Sequence, residues 1–237
     1  MSATPALEVT ALAAGYVGSP VIRDLSFALA PGEVLCLLGP NGAGKTTTLL
    51  ALSGLLARSA GTVTVNGVAL PAGRPRTAAR AGLAFVPDDR SLFRTLTVAE
   101  NLALAATSKS RIADVLDLFS LLRERLNVHA GLLSGGEQQQ LALGRALVQD
   151  PKVLMVDELS MGLAPVIVEH LLPVIRQVAD ETGTAVILVE QHFRLALGIS
   201  DQAIVLAHGA EVLRGAPSEL LAKPEQIEAA YLGGKAA

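Results

Sequence analysis

Residues 39–46, "GPNGAGKT", constrain this chain more than any other stretch. They fit the pattern of a glycine, four residues, then Gly-Lys-Thr, and their flanks agree with it. The apolar run before them, "GEVLCLLG" (32–39), reads as a strand, and "GKTTTLLALSGLL" (44–56) switches to helical spacing. Glycines let the backbone curl until successive N–H groups converge on phosphate oxygens, and the helix start adds partial positive charge. Lys45 then supplies a full charge to the β- and γ-phosphates of a nucleoside triphosphate, and the Thr46 hydroxyl is placed to ligate Mg²⁺. The expected nucleotide contacts are therefore Gly39, Pro40, Asn41, Gly42, Ala43, Gly44, Lys45, Thr46 and Thr47.

The rest of the chain alternates strand and helix around that loop. "LEVTAL" (7–12), "PVIRDLSFAL" (20–29) and "GTVTVNG" (61–67) read as strands, the last closed by an Asn-Gly turn. Further on, "KVLMVDE" (152–158) and "TAVILVE" (184–190) are buried strands flanking a helix over 164–183 that carries Pro165 near its start. "QAIVLAHGAEVLRG" (202–215) reads as a closing hairpin, and residues 218–234 as one or two short helices. The pattern predicts an α/β fold with a mostly parallel sheet. Between about 88 and 150 no strand is apparent. "TVAENLALAA", "RIADVLDLFSLLRERL" and "GEQQQLALGRALVQD" are each helical in spacing. One domain is expected over 1–237, with 1–87 and 151–237 as the core and 88–150 as an inserted helical subdomain.

A triphosphate loop needs a second metal group and a means of activating water. Asp157 and Glu158 stand at the carboxyl end of the "KVLMVDE" strand, where ligands of open α/β sheets bind. Asp157 is assigned to Mg²⁺, directly or through water, and Glu158 to the general base. Net charge is −3 without a long basic run, so nucleic acid is excluded as a partner. The single cysteine, Cys36, sits in an apolar run and reads as a small buried hydrophobe. Without a basic start followed by an apolar core, the N-terminal residues are not expected to act as a secretory leader, and no apolar run reaches the roughly 18 residues of a membrane span. Any membrane role is thus expected to come through another subunit.

With "GPNGAGKT", "LSGGE" (133–137) and "VLMVDE" (153–158) in that order, the chain resembles the ATP-binding subunits of ABC transporters over essentially its whole length. The resemblance implies a P-loop NTPase core, an N-terminal antiparallel β subdomain and an inserted helical subdomain. It also implies that Ser134, Gly135 and Gly136 touch the γ-phosphate of ATP held by the other subunit of a head-to-tail dimer. Tyr16 matches the aromatic that stacks on adenine. Asp88 stands where most relatives carry a glutamine at the metal or water, and Ala164 where they carry an aspartate. Gln191 takes the place of a phosphate-contacting histidine, with His192 one position later as the alternative.

These departures, with "GLAP", "LVEQ" and the ending "YLGG", are similar to one of the two ATPases of branched-chain amino-acid importers. That implies a partner ATPase, either a second copy or a sister chain, two membrane-spanning permease subunits, and indirectly a solute-binding protein. The expected location is the cytoplasmic face of the cell membrane. Urea or amide importers, an exporter, and a weakly hydrolysing regulatory subunit remain as alternatives. A chromosome or repair ATPase is disfavoured, because Gly39 and Ser134 are 95 positions apart with no sustained heptads between them. The run from Glu137 to Gln140 reads as the polar first turn of a helix, exposed to the partner and solvent.

Overall fold

The computed structural model describes residues 4–17, 19–190 and 193–231. Strands β1 (Leu7–Tyr16) and β2 (Ser19–Leu29) pair antiparallel, with Leu7 opposite Leu29. β3 (Val34–Leu38) is buried at every position and delivers the chain into the phosphate loop and α1 (Lys45–Leu52). β4 (Arg58–Val65) returns to pair with β1 and turns into β5 (Val68–Ala69) through Asn66 and Gly67, at φ 48° and 77°. Two positive φ values in a two-residue hairpin are what Asn-Gly supplies. α2 (Pro75–Arg80) leads to β6 (Leu83–Val86), and four helices follow: α3 (Val98–Ala105), α4 (Lys109–Leu118), α5 (Ser120–Glu124) and α6 (Gly135–Leu147). The chain closes with β7 (Val153–Asp157), α7 (Pro165–Thr182), β8 (Ala185–Val189), α8 (Phe193–Leu197), the hairpin β9 (Gln202–Ala207) and β10 (Ala210–Gly215), and helices α9 (Pro217–Ala222) and α10 (Pro224–Tyr231).

Two sheets result. One is antiparallel, in the order β2-β1-β4-β5; the other runs β10-β9-β3-β8-β7-β6, parallel except for the edge strand β10. Alternation along the parallel strands divides the core in two. Leu35, Leu37, Met155, Ile187 and Ile204 face the antiparallel sheet and α1, whereas Val34, Cys36, Leu154, Val186 and Val205 pack with the side chains of α3 to α7. Burial of each such side chain contributes roughly 1.5–3 kcal/mol, and both faces of the large sheet are covered. Because β3 and β7 both pair parallel with β8, the turns after them lie at the same end of the sheet, one strand apart.

Three local readings differ from the sequence pattern. The helix expected over 44–56 stops at Leu52, because Gly54 adopts φ 74° and its backbone lies against Arg74. The single helical stretch 111–126 is broken at Phe119, which leaves helical geometry at φ −120° while its ring is buried among the apolar residues of α4 to α6. β6 and α2 have no counterpart in the sequence reading. β6 is only four residues long and pairs with β7 alone.

Candidate functional site

The phosphate loop is held open by backbone conformations that side chains resist. Gly39, Gly42 and Gly44 have φ of 148°, 79° and 102°. A Cβ on Gly39 would lie 2.3 Å from the Leu206 carbonyl oxygen, so the loop can cross the end of β9 only as glycine there. Gly44 caps α1 and so provides no side-chain cap for the helix's first amides. Those N–H groups are the ones an α-helix leaves without internal partners. Lys45 is 5% exposed, and its ammonium donates to the carbonyls of Gly39 (2.8 Å) and Pro40 (3.1 Å) within the curl of the loop. Burial lowers its pKa, while Glu158 and Asp157 act in the other direction. A buried cation flanked by two carboxylates at a helix start is suited to polyphosphate.

Asp157 is 1% exposed, and neither carboxylate oxygen has a hydrogen-bond partner of ordinary length and angle. Burial pushes its pKa up from 3.8 to about 6, and Glu158 and Asp88 add to the rise while the neighbouring Thr46 hydroxyl and Lys45 oppose it. A carboxylate so placed is costly unless a cation joins it. Among the described residues no group of three or more His, Cys, Asp or Glu could hold a metal by itself. One hydroxyl and one carboxylate, beside a place for phosphate oxygens, are instead the incomplete oxygen set that Mg²⁺ uses with a bound nucleotide. Glu158 follows at φ 47°, its amide donating to the Val189 carbonyl at 3.0 Å. It lines a hollow of about 490 Å³ with Tyr16, Val21, Asn41, Gly42, Gly44, Lys45, Thr46 and Thr47. Tyr16, 58% exposed at the end of β1, stands at this hollow.

A second hollow of about 330 Å³ lies at the start of α6, lined by Ser134, Gly135, Gly136, Glu137 and Gln140 with Leu121, Ile167 and the turn 162–164. The two hollows have no lining residue in common. Here the helix start is capped from within. The Ser134 hydroxyl accepts from the Glu137 amide (3.3 Å), and the Glu137 carboxylate accepts from the Ser134 amide (2.8 Å). The Ser134 amide first, then the Arg125 guanidinium, which donates at 2.9 Å, and the Ser134 hydroxyl hold the Glu137 carboxyl below the usual carboxylate range. Of the four amides in the first turn, that box leaves those of Gly135 and Gly136.

The glutamine run corrects its sequence reading. Gln139 is 3% exposed, and Gln138 and Gln140 are half-buried rather than solvated. Gln138 donates to the carbonyls of Ala130 and Leu133, and both Gln138 and Gln139 accept from Arg90. Polar side chains go inside when partners meet them, and here the partner lies 49 positions away in sequence. Arg90 was not singled out by any motif. Val21, which also lines the nucleotide hollow, gives no local signal either. Asp88 is exposed, accepts from the Asp89 amide (2.9 Å), and lies near enough to Asp157 to raise its pKa. Ala164 borders the second hollow, and Gln191 and His192 lie outside the described residues.

A phosphate loop after β3 and a carboxylate pair after the nearby β7 define a P-loop nucleotide-binding protein. The family model described as ABC transporter matches residues 22–160, more than half of the chain, and the chain belongs to that family. It is 42% identical over 219 residues to the high-affinity branched-chain amino acid transport ATP-binding protein BraG of Pseudomonas aeruginosa, covering 90% of this chain and 93% of that protein. It is 32% identical to the lipopolysaccharide export system ATP-binding protein LptB of Escherichia coli K12, covering 94% and 95%. Among solved structures, an ATP-binding cassette of an ABC transporter in its ADP conformation matches with TM-score 0.85 at 21% identity, over 97% of this chain and 99% of that one. The chain is therefore an ATPase, the ATP-binding subunit of a transporter.

Proposed function

We propose that this ATPase powers an importer of branched-chain amino acids. The observation that carries the reading is the 42% identity to BraG over nine-tenths of both chains, against 32% to the lipopolysaccharide export ATPase. The solute does not touch this chain, so the assignment is tested on the assembled transporter. ATP turnover in vesicles containing the chain, its permease subunits and their binding protein is expected to rise with leucine, isoleucine or valine. Stimulation by urea, amides or a lipid substrate instead would overturn it.

Thr46 and Asp157 hold Mg²⁺, with Asp88 at the same end of the site, and the metal when bound offsets the charge of the β- and γ-phosphates. Lys45 and the first amides of α1 orient those phosphates, and Tyr16 stacks on the adenine. Glu158 takes the proton from the attacking water, and Gln191 is assigned to the γ-phosphate. Ser134, Gly135 and Gly136 do not line the chain's own nucleotide hollow. They serve the ATP of a partner ATPase, a second copy or a sister chain, so that ATP joins the pair and hydrolysis separates it. In this reading residues 88–150 form a helical subdomain that passes the motion to two permease subunits. No helix among the described residues is long and apolar enough to cross a membrane, and in this reading the chain attaches to the cytoplasmic face through those subunits.

Glu158→Gln keeps the shape of the site and removes the base. Turnover is expected to fall by about 100- to 1000-fold while ATP binding is retained and a pair accumulates. Unchanged steady-state hydrolysis would remove Glu158 from the role of base.

A further inference from the structure

Arg90 lies at the meeting point of three segments that the proposed mechanism uses. It belongs to the loop that follows β6, two residues after Asp88, and its amide closes a turn onto the Pro87 carbonyl at 2.9 Å. Arg90 and Ser91 adopt φ of 64° and 43°, a conformation that non-glycine residues occupy at a cost and keep only when their surroundings hold them. Those surroundings are specific. Asp89 Oδ1 accepts from the amide and the hydroxyl of Ser91, and the Ser91 carbonyl accepts from Arg145.

The guanidinium spreads over three acceptors. Nε donates to Gln139 Oε1 at 2.8 Å, Nη1 to Gln138 Oε1 at 3.3 Å, and Nη2 to the Met161 carbonyl at a long 3.5 Å. Gln138 and Gln139 are in the first two turns of α6, behind Ser134–Gly136. Gln138 also holds the carbonyls of Ala130 and Leu133 that lead into that turn. Met161 lies in the turn that opens at Glu158, with its amide on the Glu158 carbonyl at 3.0 Å. A Cβ added to Gly135 would stand 3.9 Å from Arg90 Nη2, so the guanidinium lies beside Gly135. A planar fork of five donors can serve all three acceptors at once; a lysine ammonium cannot reproduce that geometry.

We propose that Arg90 is a positioning residue that ties the placement of Ser134–Gly136, toward the partner's ATP, to the Asp88 and Glu158 loops of its own ATP site. The inference rests on the reading of Ser134–Gly136 as facing a partner. Arg90 does not line the nucleotide hollow. Its loss therefore acts on pairing and turnover and leaves the first capture of nucleotide alone. This also gives the glutamine run a purpose: Gln138 and Gln139 are the side of the clamp that rides on the signature helix.

The test uses the full chain with its partner ATPase and permease subunits. Arg90→Gln is expected to leave the dissociation constant of Mg-ATP for the single chain within about twofold, while turnover falls about tenfold. In the Glu158→Gln background, the same change is expected to weaken ATP-driven pairing, followed by sedimentation, by about tenfold. Arg90→Lys should not rescue either quantity. Gln139→Met, close in volume and without the acceptor, should reproduce the loss, and the double variant should be no worse than either single one. If Arg90→Gln does not fold, Gln139→Met carries the same comparison.

Unchanged turnover and pairing in folded Arg90→Gln, additive losses in the double variant, or a parallel loss of ATP affinity would each overturn the proposal. Failure of Glu158→Gln itself to pair under ATP would overturn the pairing reading, and this inference with it. Normal pairing by Glu158→Gln that survives Arg90→Gln overturns this inference alone.

Discussion

The two glycine-bearing helix starts of this chain look alike in sequence and are built to opposite ends. At α1 the cap is Gly44, which offers no side chain to the first amides, and the first turn has no acidic residue. At α6 the cap is Ser134, whose partner Glu137 brings a full negative charge into the first turn and uses two of the four amides. The first start lacks a side-chain cap and suits an anion, the role proposed for it above. The second is a finished helix terminus with two glycine amides to spare. A helix that needs no ligand to hold its own end can present those amides to a distant phosphate without loosening when that phosphate leaves.

Three substitutions sharpen the contrast, in descending order of effect. Gly44→Ala forces a side chain into φ 102°, with its Cβ 2.3 Å from Ile22 Cδ1. It is expected to cost about 2–4 kcal/mol in urea unfolding and to abolish ATP binding. If Gly44→Ala binds ATP normally, the open terminus does not depend on that backbone conformation.

Asp157→Asn comes next and depends on pH. Without metal the folded chain holds the Asp157 proton more tightly than the unfolded one, since the pKa rises from 3.8 to about 6. Stability from this group is present below pH 3.8 and is lost as pH rises through about 6. Asn cannot ionise, so in the presence of chelator the substitution is expected to add about 2–3 kcal/mol at pH 7.5 and nothing at pH 3.5. An equal gain at both pH values would show that the carboxylate is not the strained group.

Ser134→Ala removes the cap of α6 and should cost about 1 kcal/mol in the same unfolding measurement, with no change in ATP affinity of the single chain. Weaker ATP binding by the single variant chain would mean that α6 contributes to its own site after all.

The parts of the site that were legible in the sequence are those whose physics is local. A phosphate loop needs its glycines, lysine and threonine consecutively, and the Asn66-Gly67 turn and the strand before Asp157 also reveal themselves within a few residues. Burial of Gln139 does not, because it is decided by an arginine in another loop. The same holds for Val21, which reaches the nucleotide hollow from β2, and for the place of β3 between β8 and β9. Four-residue β6 and the break at Phe119 were missed because short apolar segments carry too little periodicity to separate strand from helix. The candidate phosphate loop and carboxylate pair could thus be picked out by motif, whereas the contacts of Arg90 with Gln138 and Gln139 became visible only once the chain was folded.

Cys36 in the middle of β3 has a practical consequence. It is the chain's single cysteine, fully buried, with burial driving its thiol pKa far upward. Thiol reagents act on the thiolate, so the native side chain is chemically silent while the protein is folded. A cysteine introduced at Leu132, 78% exposed two residues before Ser134, would therefore take a dye or spin label alone. The wild-type background needs no prior removal of thiols for distance measurements across a closing pair.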